Sequence, residues 1–205
     1  GKTKIIQLLH PGNYGLKDID LVITPEHDRK GNPPQNIFFV TGSPHRITKN
    51  ILTEAQEKWC QQFSHLPKPW IGVIVGGAIK KRAFSIENAV ELGKQIKNII
   101  DKTGGSLLIT TSRRTGSAPE KALMNELKDI PAYTFLWGEK KENPLMGFLA
   151  CADKIIATGD SVSMCCEACG TGKPVLVFCG KDWLTPKHLR FVQSLYSGKY
   201  ANTLE

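Results

Sequence analysis

From residue 71 onward the chain repeats one pattern: a short unbroken apolar run, a polar turn, then a stretch with helical periodicity. The runs are "IGVIVG" (71–76), "SLLITT" (106–111), "YTFLW" (133–137), "KIIAT" (154–158) and "PVLVF" (174–178). They lack apolar/polar alternation, so they read as strands buried on both faces, as in a parallel sheet. Between them, "SIENAVELGKQIKNIIDKTGG" has Ser85 to start a helix and Gly104 to stop it, and "APEKALMNELKD" carries Pro119 in its first turn. Helices are also expected at "NPLMGFLACAD", "DSVSMCCEACGTG" and "TPKHLRFVQSLYSG". Strand and helix alternating in this way imply right-handed crossovers and a doubly wound α/β sheet.

Before residue 71 the pattern differs. "KIIQLLH" (4–10), "LVIT" (21–24) and "IFFVT" (37–41) are strand-like, but short polar loops separate them and the first helix is expected at about 53–64. "SHLPKPW" (64–70) reads as a linker, which divides the chain into residues 1–66 and 67–205. The first piece has too few helices to cover a parallel sheet alone. Together with a strand almost at the first residue, this leads us to expect a chain cut from something longer.

The 27 Lys and Arg against 19 Asp and Glu give a net charge of +8, which favours anionic partners. Long basic runs with interleaved aromatics are missing, so nucleic acid is not expected as a partner. No apolar run approaches the roughly 18–20 residues of a membrane span. The six cysteines show no disulfide-like framework, which points to a cytoplasmic protein.

In open α/β sheets, ligands bind beyond the carboxyl ends of the strands. The loops there are "GGAIKK", "TSRRTGS", "WGEKKENP" and "TGDSVS". Gly76 and Gly77 permit close approach by an anion, or simply make a tight turn. Ser112, Arg113 and Arg114 offer hydroxyl and guanidinium donors matched to phosphate, or form a solvated surface group. Asp160 or Ser161 caps a helix whose N-terminal N–H groups make an anion site. On that helix Val162, Cys165, Cys166 and Cys169 follow i, i+3, i+4, i+7, the stripe of a buried face. The CxxC of Cys166 and Cys169 has no companion ligands at metal-site spacing and lies too late in the helix for a redox motif. Ser163 and Glu167 lie on a neighbouring face. Glu167 is placed to accept two ribose hydroxyls, or to pair with a nearby Lys or Arg.

"DLVITPEHD", "VTGSPHRIT", "VIVGG", "GGSLLITTSRRT", "ENPLMGFLACAD" and "TGDSVSMCCEACGTGKPVLVF" together resemble the Elm (elongated mitochondria) fission-protein family, described as GT-B-type glycosyltransferases. The resemblance covers about residues 5–200. It implies a GT-B-like α/β fold: a Rossmann-like C-terminal domain that binds a nucleotide-sugar donor, beside part of an N-terminal, acceptor-side Rossmann-like domain. It places the turn Ser161–Ser163 at the donor diphosphate, Glu167 at the ribose, Gly76 and Gly77 facing the diphosphate, and Ser112 and Arg113 beside the base or phosphates. No metal or other cofactor is implied. The catalytic base is expected from His27 and Asp28 of "PEHD" or His45 of "SPHR", two loops expected to open on one cleft, unless these residues only organise their loops.

The function implied is transfer of a sugar from a nucleoside-diphosphate donor, UDP-linked by analogy, to a cell-envelope glycan or lipid-linked acceptor. Peripheral contact with an anionic membrane and a protein partner are part of this expectation. The alternative is a non-catalytic adapter that recruits a dynamin-like GTPase. A sugar-nucleotide epimerase would need further cleft carboxylates, and no convincing set is found.

Overall fold

In a computed structural model, which describes residues 3–12 and 15–204, the chain forms two all-parallel sheets. The first contains β1 (Ile6–Leu8), β2 (Leu21–Pro25) and β3 (Ile37–Val40), in that order. The second contains β4 (Trp70–Val75), β5 (Ser106–Thr111), β6 (Ala132–Phe135), β7 (Lys154–Thr158), β8 (Val175–Phe178) and β9 (Asn202–Thr203). Its spatial order is β6-β5-β4-β7-β8-β9, the doubly wound Rossmann order, in which the winding reverses between β4 and β7. Every expected strand is present, some shortened. The two-residue β9 has no apolar run to announce it.

The unbroken apolar runs have the predicted cause. Every residue of β4 and β5 is buried, with α2 (Ile86–Thr103), α3 (Ser117–Glu126), α4 (Leu145–Cys151), α5 (Val162–Gly170) and α6 (Pro186–Ser197) alternating with the strands. The Ser85 hydroxyl accepts from Asn88 N, and Gly104, at φ +68°, ends α2. Thr185 caps α6 in the same way through His188 N. No helix among the described residues is long and apolar enough to cross a membrane.

The first helix, α1 (Lys49–Phe63), starts earlier than its periodicity predicts, because Thr48 supplies the N-cap. It packs on α4. Trp59 lies over Gly147, where a Cβ would come within 2.4 Å of the indole. The Phe63 ring meets those of Phe148, Tyr133 and Trp70 at centroid distances of 5.6, 4.9 and 6.1 Å. Gln56 donates to the Ala150 carbonyl, and Cys60 is bonded to Cys151 across 91 residues. That bond departs from the expected absence of disulfides; a separation of 91 leaves no local spacing to read. By packing, α1 covers the second sheet.

The first sheet is covered on one side. Val22 and Thr24 are buried, while Ile6 and Phe38, on the opposite face, are 62% and 60% exposed. It meets the rest of the chain through α5 and α6. The Ser43 N–H donates to Cys166 Sγ at 3.2 Å. The turn Glu26–Asp28 packs on α6, with His27 against Phe191 at 5.1 Å and Asp28 paired to Lys187 at 2.5 Å.

Phe148 is fully buried at the junction of α1, α4 and β6. Phe148→Ala is expected to cost about 3–5 kcal/mol, measured by urea unfolding, as a large cavity opens under α1.

Candidate functional site

At the reversal between β4 and β7, three loops are tied together by one carboxylate. Asp160 has a side chain that is 0% exposed. It accepts from Gly77 N at 2.8 Å and from the Thr158 hydroxyl at 2.7 Å, and its Oδ2 lies 3.0 Å from Arg114 Nη2. Burial pushes its carboxyl up, against the pull of the Gly77 N–H, Thr158 and Arg114. Around it, Gly76 N donates to Thr158 Oγ1 at 2.7 Å, and Ser112 Oγ donates to the Gly76 carbonyl at 2.9 Å. Arg114 also donates to the Ala78 carbonyl at 2.8 Å.

This network shows why two glycines follow β4. A Cβ at Gly76 would lie 2.2 Å from both Asp160 carboxylate oxygens, and one at Gly77 would lie 2.0 Å from the Arg114 backbone. The close approach expected of these glycines is therefore made to groups inside the protein, and both N–H donors are engaged. Arg114 is engaged as well. Its neighbour Arg113 is exposed and makes no ion pair or hydrogen bond among the described residues.

The N-cap of α5 is Ser161, and its side chain makes no capping bond. Its hydroxyl lies 3.4 Å from that of Ser163, which is exposed. The first turn of α5 thus has backbone N–H groups, the exposed Ser163 hydroxyl beside the buried Ser161 hydroxyl, and the positive end of the helix dipole at the carboxyl edge of the sheet. Cys165 and Cys166 are buried on the other side of the helix, and burial pushes their thiols up; Cys169 is raised to about 11. One turn along, Glu167 is half-buried and makes no ion pair or hydrogen bond among the described residues. Burial raises its carboxyl, and nearby His45 opposes the rise.

His45 comes from the loop after β3 and sits on Gly170, whose added Cβ would touch the ring at 2.5 Å. Its Nδ1 accepts from Ile47 N at 3.2 Å, leaving Nε2 as the protonated nitrogen of the neutral ring. Around it, Thr41, Ser43, Cys166 and Cys169 line a cavity of about 210 Å³. His27 is placed differently. Its side chain is 3% exposed, and its Nε2 lies 3.9 Å from Asp28 Oδ2, too far for a hydrogen bond. So "PEHD" packs on α6 and "SPHR" on α5.

Several residues of the site carry no motif. Thr115 donates to the Gly76 carbonyl, and Trp183 Nε1 donates to the Gly77 carbonyl at 3.1 Å. His188 is held by Thr185 Oγ1 at 2.7 Å; burial lowers its pKa and Asp160 opposes that. Thr158, the last residue of the β7 run, and Thr115, inside "TSRRTGS", had a positional signal; Trp183 and His188 had none.

The family model for mitochondrial fission ELM1 matches residues 1–205. The mitochondrial fission protein ELM1 of Arabidopsis thaliana is 33% identical over 212 residues, spanning 93% of this chain and 49% of that protein. Protein RP120 of Rickettsia prowazekii is 30% identical over 169 residues, spanning 80% of this chain and 46% of that protein. The chain thus spans about half the length of the curated relatives it matches. Among solved structures, MurG of Acinetobacter baumannii aligns over 91% of this chain and 46% of its own, at 15% identity and a TM-score of 0.48. With the match over its whole length, the chain belongs to the mitochondrial fission ELM1 family.

Proposed function

We propose that the second sheet and its helices form the donor side of a GT-B-type glycosyltransferase that uses a nucleoside-diphosphate sugar. The observation that carries this reading is the position of α5. Its uncapped first turn stands at the point where the winding reverses, and a half-buried carboxylate without a partner follows one turn later. That is where open α/β sheets take their ligands, with phosphate at a helix N-terminus.

In this reading the α5 N–H groups, Ser161, Ser163 and Arg113 hold the diphosphate, and the Glu167 carboxylate accepts the ribose hydroxyls. An acceptor hydroxyl attacks the anomeric carbon, and its proton passes to solvent as the new glycosidic bond forms. The glycosidic bond to the diphosphate breaks, and the negative charge left on the diphosphate is stabilised by the helix terminus and Arg113. Gly76, Gly77, Asp160 and Arg114 hold the loops in place, and the donor reaches them through Ser161. UDP as the nucleotide rests on the family resemblance.

A second reading, a binding adapter, has one observation in its favour: Asp160 already satisfies Gly77, Thr158 and one face of Arg114. A crevice closed by its own carboxylate keeps its shape without ligand.

Thermal unfolding with a panel of nucleoside diphosphates separates the two. UDP at about 100 times its Kd is expected to add about 2.7 kcal/mol, a rise of roughly 5–10 °C in Tm. Arg113→Ala and Glu167→Ala should remove most of that rise while leaving the ligand-free Tm unchanged or slightly higher. No shift with any nucleotide at millimolar concentration favours the adapter.

Asp160→Ala should behave in the opposite way. It leaves the buried Gly77 N–H without its acceptor and frees one face of the part-exposed Arg114, so ligand-free stability is expected to fall by about 1–3 kcal/mol in urea unfolding.

A further inference from the structure

The first sheet meets the rest of the chain through a buried histidine that no catalytic role uses. His27 projects from the turn Glu26–Asp28 onto α6, with its ring edge-on to Phe191 at 5.1 Å and an interplanar angle of 67°. Its Nδ1 is buried and has no hydrogen-bond partner among the described residues. A buried nitrogen without a partner is a cost the fold carries at this contact.

The charges around the ring decide what protonation would do. From its own turn it faces Asp28, and beyond that Glu26 and Arg29, which are bonded to each other at 2.5 Å. From α6 it feels Lys187, His188 and Arg190. Asp28 is the one anion close to it, at 3.9 Å, and that carboxylate is already paired with Lys187 at 2.5 Å. A proton on His27 would therefore add a cation to a contact that holds two fixed cations and one shared anion, and it would give Nδ1 a hydrogen with no acceptor.

We infer that the contact between the turn Glu26–Asp28 and α6 is a pH-sensitive latch between the first sheet and the second, closed while His27 is neutral and loosened when it is protonated. Burial lowers the histidine's pKa below its ordinary value, in agreement with this. The sign follows from linkage. The open form binds the proton more readily than the closed form, so the latch is at full strength above about pH 6.5, the ordinary value for histidine, and weakens as pH falls below it. The latch also reaches the candidate site. The same helix begins at Thr185 and carries His188, which interacts with Asp160. Loosening α6 would thus loosen one wall of the crevice whether or not a nucleotide binds there.

Amide hydrogen exchange, corrected for intrinsic rates, tests this on the whole chain at pH 7.5 and pH 5.5. Peptides covering residues 22–29 and 186–197 should lose protection on acidification, by up to about tenfold per pH unit for one linked proton. Peptides from β4 and β5 should hold theirs. His27→Phe, which keeps an aromatic ring against Phe191, should abolish the pH dependence of the 22–29 peptide and reduce that of 186–197, where His188 titrates as well. His45→Gln, at the other contact, should leave it intact. Should His27→Phe fail to fold, Asp28→Asn serves instead: without its one anion the latch must weaken more steeply on acidification. Equal pH dependence in the wild type and in His27→Phe, or a dependence unchanged in Asp28→Asn, overturns the inference.

Discussion

The arrangement of the carboxyl edge depends on a single buried anion. Asp160 follows β7, yet it fixes the loop after β4 through the Gly77 N–H and the loop after β5 through Arg114. A carboxylate with no exposed side-chain surface is costly to bury, and here three donors and the adjoining helix terminus offset that cost. Gly76, where a Cβ would strike both carboxylate oxygens, the Gly77 N–H, the hydroxyl of Thr158 and one of two adjacent arginines all meet at Asp160.

How much of this was legible in the sequence differs by layer. The doubly wound sheet was, because burial on both faces forces unbroken apolar strands, and β4 and β5 are buried at every position. The buried side of α5 was too, since i, i+3, i+4 spacing places Cys165 and Cys166 on one face whatever the thiols might otherwise do. What could not be read was the direction of close contacts. "GG" after a strand announces that something comes near; it does not say whether that is a ligand or Asp160, 83 residues away. The Cys60–Cys151 pair and the Trp183 bond to Gly77 are likewise long-range, with no periodic trace in the chain.

The histidines make the same point from the other side. "PEHD" and "SPHR" look alike as loops that follow strands, and residue type alone offers both as bases. Packing separates them. His27 is enclosed against Phe191, while His45 lies on Gly170 with Nδ1 bound to Ile47 and Glu167 as its charged neighbour. His45 lines the cavity beside α5 and His27 the one beside α6, and the acceptor nitrogen of His45 is taken by the Ile47 N–H, so neither ring stands ready as a base.

Near neighbours on this edge therefore divide into groups held inside the network and groups left in solvent. Arg114 points inward to Asp160 and Ala78, and Arg113 outward. Asp160 is sealed, and Ser163, three residues on, is exposed. The division follows from geometry. Arg113 and Arg114 lie in a turn closed by the Thr115 N–H on the Ser112 carbonyl, which leaves one side chain toward Asp160 and the other in solvent. It also resolves the tension between the two readings of function. The self-contained network around Asp160 keeps the crevice ordered without ligand, which an adapter requires and on which an enzyme can also be built. The groups it leaves free do not follow from that need. An adapter has no use for a half-buried glutamate without a partner one turn into α5; a site for hydroxyls does. Glu167, not the network beneath it, is the residue on which the two readings part.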